Sequence, residues 1–170
     1  MRRWLVAFAP AAVVWALDRI TKSAVQGALT LYETRVVIPG FFNLVHSHNQ
    51  GAAFGLFAGH TGPWRGILLI GVTGAVLSAV AILLGRMVAG KTAGGKASRW
   101  GLSLVLGGAL GNFQDRLAHG MVTDFLEFYL GRFVWPAFNV ADAAITVGAL
   151  LVALDLWRAK EPGRASCTPN

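Results

Sequence analysis

Residues 107–125, GGALGNFQDRLAHGMVTDF, begin as an apolar, glycine-rich run and end in polar and charged residues. The members that a membrane helix should avoid are Asn112, Asp115, Arg116 and Asp124. The next apolar run is interrupted in the same way, at Asp142. Polar and ionisable groups are costly within a spanning segment, which makes them functional candidates. The stretch therefore predicts a membrane protein whose acids carry a function.

The composition supports the membrane class. Of 170 residues, 55% are hydrophobic and 14% are charged, whereas a soluble domain carries about 25% charged residues. The formal net charge is +7. No basic cluster interleaves with aromatic residues, so we expect no nucleic-acid partner, and the positive-inside pattern of membrane proteins explains the excess better. The single cysteine, Cys167, excludes an internal disulfide.

The apolar runs predict an all-α polytopic membrane protein with four transmembrane helices, at about 4–24, 64–85, 100–117 and 134–157. Each is close to the ~20 residues that a bilayer core requires. Together they form one predicted domain, 1–160, followed by a polar tail, 161–170. On this interpretation Asp142 lies about two turns inside the fourth span.

The long connection 26–63 is expected to contain a small extramembrane β-sheet between the first two helices. Residues 31–44 are rich in β-branched and aromatic side chains around a Pro39-Gly40 turn, which predicts two short strands. The following residues, 48–55 (HNQGAAFG), are small and polar. They suit either a close approach to a ligand or an ordinary surface turn.

The charges of the connecting segments predict the orientation. The N-terminus, the 86–99 loop and the tail carry nine Lys and Arg residues, against six on the other side, where six acids also lie. Both termini are therefore expected to be cytoplasmic. Four aspartates then fall near the outer membrane surface: Asp18, Asp115, Asp124 and Asp142.

The neighbours of these aspartates separate their roles. Asp18 and Lys22 are i,i+4 neighbours, so a structural ion pair is expected, and Asp115 beside Arg116 suits a polar network. Asp124 and Asp142 have no Lys or Arg within four residues. Two carboxylates brought together at an interface share a proton, and such a pair can activate water as aspartic proteases do.

The residues alone leave other roles open for these acids. Asp142 could hydrogen-bond between helices, Asp124 could cap a short helix near 125–130, and membrane acids also serve proton-coupled transport. His46 and His48 lack a third ligand with suitable spacing, so neither a metal nor another cofactor is expected. No serine lies in a nucleophile-elbow motif.

Five blocks of sequence, taken together, resemble the lipoprotein signal peptidases (signal peptidase II). They are 17–22 (LDRITK), 48–54 (HNQGAAF), 107–116 (GGALGNFQDR), 120–125 (GMVTDF) and 136–142 (PAFNVAD). The resemblance implies an intramembrane aspartic protease of the bacterial cytoplasmic (inner) membrane, with its active site near the periplasmic face. It also implies cleavage of diacylglyceryl-modified prolipoproteins just before the lipidated cysteine.

The resemblance also implies which residues form the site. Asp124 and Asp142 match the catalytic aspartates of the family. The positions that match its other polar site residues are Asn49, Gly51, Asn112, Arg116, Asn139, Asp18, Lys22 and Asp115. Membrane phospholipids and the inhibitor globomycin are the further partners implied, and a monomer is expected. A small proton-coupled transporter, or a scaffold that only binds the precursors, are the alternatives.

Overall fold

The computed structural model describes residues 1–51 and 63–159. Its elements are α1 (Arg2–Ala28), β1 (Thr34–Ile38), β2 (Phe42–Asn49), α2 (Pro63–Val88), α3 (Lys96–His119), β3 (Val122–Leu130), β4 (Phe133–Phe138) and α4 (Val140–Ala159). Two predicted features lie wholly or partly outside the described residues: the tail 161–170 and the second half, 52–55, of the 48–55 turn.

The close contacts of the glycines in α3 show in which direction the neighbouring helices run. A Cβ on Gly107 would collide with the backbone of Ala11, and a Cβ on Gly111 would collide with Asp18. Residues further along α3 thus meet residues further along α1, so the two helices run parallel. A Cβ on Gly101 would lie 2.5 Å from the carbonyl oxygen of Gly148, in the middle of α4. Because Gly108 meets the start of α4 at Ala141, α4 runs antiparallel to α3.

α2 completes the bundle and also runs antiparallel to α1. Its Gly74 faces Phe113 near the end of α3, whereas Gly85 faces Trp4 near the start of α1. Around the end of α2, Leu84, Met87, Val88 and Leu102 form a buried apolar cluster. The starts of α1 and α3 therefore lie at the same end of the bundle as the end of α4.

Three helices in the described part of the chain are long and apolar enough to cross a membrane: Arg2–Ala28, Gly66–Val88 and Val140–Ala159. α3 is not among them, because Asn112, Asp115 and Arg116 and both charged residues of its first turn lower its hydropathy. The predicted span at 100–117 remains a prediction, although the helix itself is present.

The β-sheet is larger than the sequence predicted. Four antiparallel strands follow the order β1-β2-β3-β4. The two strands expected after the first helix are confirmed as β1 and β2, slightly further along the chain. β3 and β4 join them as a second hairpin, whose turn uses Gly131 at φ +62°. A backbone with positive φ favours glycine, because it has no Cβ to clash.

The prediction of a fourth span from residue 134 is wrong at its start. Phe133–Phe138 is a strand, and α4 begins at Val140. The apolar run fitted either structure, but Pro136 lacks an N–H and suits β4, which pairs only with β3 at the edge of the sheet. Asp142 consequently lies in the first turn of α4, not two turns inside it, and Asp124 lies on β3 rather than capping a helix.

A second apolar cluster joins the sheet to the bundle. Val25 and Leu29, at the end of α1, pack with Phe125 of β3. Beside them the Gln26 Nε2 donates to Thr123 Oγ1 at 2.8 Å. These contacts fix β3, and therefore the carboxylate of Asp124, against the end of α1.

Candidate active site

Asp124 lies on β3 and is only 3% exposed. In the antiparallel register, Ser47 of β2 lies opposite Asp124 and Asn49 follows two residues later. The side chain of Asn49 reaches the carboxylate, and its Nδ2 donates to Asp124 Oδ2 at 3.0 Å. Asn139 Nδ2 donates to the other oxygen, Oδ1, at 2.7 Å. Two amides therefore hold the carboxyl group of Asp124.

Asp142 lies at the N-terminus of α4 and is part of its cap. Asn139 Oδ1 accepts from the Asp142 N–H at 2.9 Å, and the Asn139 N–H donates in return to Asp142 Oδ2 at 3.4 Å. This reciprocal pair is a capping box. The positive end of the helix dipole favours a negative charge at Asp142. Its Oδ1 also accepts from Asn112 Nδ2, at 2.7 Å.

Asn139 therefore contacts both members of the predicted carboxylate pair. Its side chain is fully buried at 0% exposure, and its Nδ2 also lies 3.3 Å from Asn112 Oδ1 and from the carbonyl oxygen of Thr123. A buried polar group that is satisfied on all sides is fixed in orientation. The relative position of Asp124 and Asp142 is thus set by one rigid amide.

The two carboxylates differ in their surroundings. Burial raises the pKa of Asp124 to about 7, and the negative charge of Asp142 adds to that shift; hydrogen bonds from Asn49 and Asn139 oppose it. Asp142 is partly exposed and faces a helix dipole. Two carboxylates that lie close together in unequal surroundings are typical of acid–base catalysis.

A buried charge cluster supports this layer from the side of α1. Lys22 Nζ lies 2.8 Å from Asp18 Oδ2 and 2.8 Å from Asp115 Oδ2, and Arg19 forms an ion pair with Asp115. The predicted Asp18–Lys22 pair is confirmed. The cluster reaches the carboxylate layer because Lys22 Nζ also donates to Asn112 Oδ1 at 3.1 Å. Because the Oδ1 of Asn112 accepts from Lys22, the Nδ2 of Asn112 points towards Asp142.

Asp18 also contributes to α4 directly. Its Oδ1 accepts from the Ala141 N–H at 3.0 Å. The first N–H groups of a helix lack hydrogen-bond partners within the helix. The Asp18 carboxylate of α1 therefore supplies an acceptor for an N–H group of α4 that has no acceptor in α4. Lys22 and Asp18 are both 0% exposed, and breaking such a pair costs about 3–5 kcal/mol.

Arg116 and Gly51 enter the site through the backbone after β2. Arg116 Nη2 donates to the Gly51 carbonyl oxygen at 3.2 Å, and the Gly51 N–H donates to Asn49 Oδ1 at 2.9 Å. Arg116 thereby restrains the segment that positions Asn49. All the sequence-predicted site residues are consequently joined in one hydrogen-bonded and ionic network.

Three contributors were missed from the sequence. Arg19 was considered only as a neighbour of Asp18, and Gln26 and Thr123 were not selected. Gln26 lies one turn after Lys22 on α1, so its i,i+4 spacing was a usable signal. Thr123 precedes Asp124 in the GMVTDF block, but nothing in its type indicates a contact with α1.

The two histidines considered as metal ligands lie on β2, with ring centroids 5.2 Å apart. His46 Nδ1 lies 3.0 Å from the carbonyl oxygen of Leu29. Within 1–51 and 63–159 no group of three or more His, Cys, Asp or Glu side chains is arranged to hold a metal ion. The pair therefore has a structural contact and no third ligand in that part of the chain.

Comparison of the fold defines a class. A solved structure described as a bacterial membrane enzyme matches this chain with a TM-score of 0.81 and 27% identity, covering 96% of this chain and 94% of the other. A second structure with the same description gives a TM-score of 0.72 at 27% identity, covering 89% and 92% of the two chains. The fold is therefore that of a bacterial membrane enzyme.

Comparison of the sequence gives the family. Residues 10–158 match the family model described as Signal peptidase (SPase) II. A lipoprotein signal peptidase of Solibacter usitatus is 46% identical over 158 residues, 93% of each chain. One from Pseudomonas aeruginosa is 41% identical over 158 residues, covering 91% of this chain and 89% of the relative. The chain belongs to the signal peptidase II family, whose members are proteases.

Proposed function

We propose that this chain is an aspartic endopeptidase that removes signal peptides from bacterial lipoproteins, with Asp124 and Asp142 as its catalytic residues. Membership of the signal peptidase II family supports the reaction. The observation that carries the assignment of residues is the contact of both carboxylates with Asn139. In the described part of the chain, neither carboxylate forms an ion pair that would neutralise it.

The unequal surroundings of the pair assign a step to each carboxylate. Asp142, partly exposed at a helix N-terminus, is the base that takes a proton from water. Asp124 keeps its proton near neutral pH and donates it to the carbonyl oxygen of the scissile peptide as the water oxygen attacks the carbonyl carbon. The tetrahedral intermediate then collapses with cleavage of the C–N bond: the proton held by Asp142 passes to the leaving amine, and a hydroxyl of the intermediate returns its proton to Asp124 as the carbonyl group forms again. No acyl-enzyme forms.

The proposed substrates are diacylglyceryl-modified prolipoproteins, cut just before the lipidated cysteine. A substrate held by its signal helix and acyl chains reaches only a site at the matching depth of the bilayer. The carboxylates of the pair lie where the sheet meets the helix ends, so water has access while the lipid stays in the membrane. We expect globomycin to block this site. One chain contains the whole network, so a monomer suffices.

The proposal includes α3 as a fourth span, with both termini in the cytoplasm. α3 has 24 residues, or about 36 Å of helix, enough to cross a bilayer core. It packs against α1, α2 and α4, and its Asn112 and Asp115 are buried among them. A span that is surrounded by other helices does not need the hydropathy of one that faces lipid.

The supporting residues divide into three groups. Asn49 and Arg116 are partly exposed beside the carboxylates, where their donors can also bind substrate carbonyl groups. Asp18, Lys22 and Asp115 are buried and serve the scaffold. Gly51, Asn112 and Asn139 fix the geometry of the pair through hydrogen bonds.

The test uses isosteric variants of each carboxylate. Asp124→Asn and Asp142→Asn should each abolish cleavage of a lipidated precursor in detergent, with a thermal midpoint close to that of the wild type. Asp155→Asn is the matched control, because Asp155 lies at the other end of α4 and bonds only to the start of α3. It should cleave normally. Full cleavage by either pair variant would refute the assignment.

Proton-coupled transport gains no support from the arrangement. A transporter needs groups along a path near the bilayer midplane. Asp115 lies near the end of α3 and Asp142 in the first turn of α4, and Asp18 contacts that same turn through the Ala141 N–H, whereas Asp155 lies near the other end of α4. A precursor-binding scaffold without activity is excluded if the wild type cleaves in the same assay.

A further inference from the structure

The end of the bundle remote from the carboxylates contains a groove of about 590 Å³. It lies between the first turns of α1 and α3, with Val88 at the end of α2 as a further wall. The α1 wall is formed by Val6, Ala7 and Pro10. Just beyond Pro10 the Ala11 N–H donates to Ser103 Oγ at 3.0 Å, so the two helices meet at the inner end of the groove.

The outer part of this groove is strongly basic. Arg2 and Arg3 line it from α1, and Lys96 and Arg99 line it from α3. The i,i+3 spacing of the latter pair places both on one face of the helix. Within the described residues, no carboxylate lines the groove or forms an ion pair with any of the four.

Asp155, which lies beside the start of α3, is already engaged. Asp155 Oδ2 accepts from the Gly95 N–H at 2.8 Å and from the hydroxyl of Ser98, so it caps the start of α3. The four cations therefore keep their charge available for an external anion. Trp100 lines the same groove and is exposed, as is usual for tryptophan at a membrane–water interface.

We propose that this groove binds one anionic phospholipid, its phosphate held by Arg2, Arg3, Lys96 and Arg99 and an acyl chain lying along the apolar walls. Charge complementarity selects the anion, because guanidinium groups bind phosphate oxygens through paired N–H donors. The continuous apolar surface behind the cations selects a lipid over a free phosphate. Basic pockets between membrane helices bind acidic headgroups in the same way.

The site is separate from the carboxylate network. Its residues belong to the starts of α1 and α3 and the end of α2, whereas Asp18, Asp124 and Asp142 lie around the start of α4. Lipid binding can therefore be disturbed without touching the residues proposed for catalysis. It also does not depend on the proposed reaction, since only the fold and the charges are used.

The experiment measures lipid retention by the full-length protein. The protein is purified in a neutral detergent and mixed with phosphatidylglycerol and phosphatidylcholine of identical acyl chains, in equal amounts. Bound lipid is then counted by native mass spectrometry. The wild type should retain one phosphatidylglycerol in preference. Arg3→Gln/Arg99→Gln should lower that preference on the order of tenfold, because each basic residue near the headgroup adds to binding.

Two further variants separate the groove from general surface charge. Lys91→Gln/Arg158→Gln removes the same charge outside the groove and should keep the preference. Val6→Trp keeps every charge but narrows the groove, and should also reduce bound lipid. If Arg3→Gln/Arg99→Gln does not fold, Val6→Trp provides the test by itself. Loss of bound lipid in this variant supports the groove as the site, and full retention of lipid contradicts it.

Three results would overturn the proposal. Equal retention of the two lipids would show that the cations select nothing. An equal loss in Lys91→Gln/Arg158→Gln would show diffuse attraction to the surface. Displacement of the lipid by millimolar glycerol phosphate would show that the phosphate alone is bound. Cleavage of a precursor, which should be unchanged in Val6→Trp, reports separately on the proposed function.

Discussion

The amide of Asn139 gives the residue two contacts that no other side chain of similar size provides together. Its Nδ2 donates to Asp124, and its Oδ1 accepts from the N–H of Asp142. An aspartate in its place would offer no donor and would add a third negative charge. A serine would retain the oxygen that caps α4, but its short side chain would lose the donor to Asp124.

This difference predicts a separation of stability from activity. Asn139→Ala should lose about 0.5–2 kcal/mol of stability with its helix cap, together with most of the activity. Asn139→Ser should keep the cap and lose activity alone. Thermal unfolding and kcat, measured on both variants, provide the check. An active Asn139→Ser enzyme would mean that Asp124 does not need its amide partner.

The pKa of Asp124 predicts a falling limb in the pH profile of cleavage. Because burial and Asp142 raise that pKa to about 7, kcat/KM should fall as the pH rises through about 7 and Asp124 loses its proton. Asn139→Ser removes a hydrogen bond that favours the ionised form of Asp124, so the falling limb of its small residual activity should move to higher pH. Steady-state rates between pH 5 and 9 test both statements.

The same shift predicts how stability depends on pH. The pKa of Asp124 is raised in the folded protein from its ordinary value of 3.8 to about 7. Between these two pH values the folded state therefore holds a proton on Asp124 that the unfolded state releases. Asp124 should therefore stabilise the fold towards the acid end of this range and lose that effect as the pH rises to about 7. The wild type should lose stability relative to Asp124→Asn over this range. Parallel pH series of unfolding curves for the two proteins measure the difference.

At the scale of single residues, local spacing was informative and cross-chain contacts were not. The Asp18–Lys22 pair followed from its i,i+4 positions, and Asp124 and Asp142 stood out because no basic residue is near them in sequence. Arg19 pairs with Asp115, 96 residues away. That choice depends on how two helices are rotated against each other, which no local pattern encodes.

Among the elements, α3 and α4 cross in close backbone contact at a point where each carries a glycine. A Cβ on Gly148 would lie 2.5 Å from the carbonyl oxygen of Gly101 and 2.8 Å from Val105. The reverse contact, from Gly101 to the Gly148 carbonyl oxygen, is equally close. Small residues at such crossings allow helix backbones to pack directly.

This crossing predicts that Gly148→Ala destabilises the protein by about 1–3 kcal/mol, because the backbones must separate. Gly71→Ala is the matched control. A Cβ on Gly71 has no neighbour within 4 Å, and alanine favours helix over glycine, so that variant should be neutral or slightly more stable. Thermal midpoints in one detergent compare the two. An equal change in thermal midpoint for Gly148→Ala and Gly71→Ala would contradict the stabilising role of the α3–α4 crossing.

The elements also mark where sequence reasoning reached its limit. Helix positions, the first hairpin and the glycine-rich surface of α3 followed from composition and spacing. The strand Phe133–Phe138 did not, since an apolar run of that length is compatible with a strand or with a buried helix. This segment is a strand because it pairs with β3. Pro136 was the one local signal in the sequence against a helix at this position.

Across the whole molecule, the two ends of the bundle differ in chemistry. One end contains the carboxylates and the sheet, and the other contains the basic groove between the starts of α1 and α3. Charge counting predicted this polarity. It did not predict that Asp142 and Asp124 would meet through the cap of α4, because that requires the exact start of a helix.

The proposed orientation predicts the accessibility of the two ends. In a Cys167→Ser background, a single cysteine at Arg132, in the β3–β4 turn, should react with a membrane-impermeant maleimide in intact cells. A cysteine at Lys91, between α2 and α3, should react only after the membrane is opened. Gel-shift labelling distinguishes the two cases. If Lys91→Cys and not Arg132→Cys is labelled in intact cells, the topology is opposite to the one proposed.

The capping of α4 by Asp18 has a consequence for biosynthesis. The first and last helices of the chain meet at this contact, so the site cannot form while the ribosome is still making the end of the protein. A nascent chain with three helices inserted contains Asp124 but lacks both Asn139 and Asp142. Activity would therefore begin only after synthesis of the fourth helix, and unfinished copies would be unable to cut precursors that enter the same membrane.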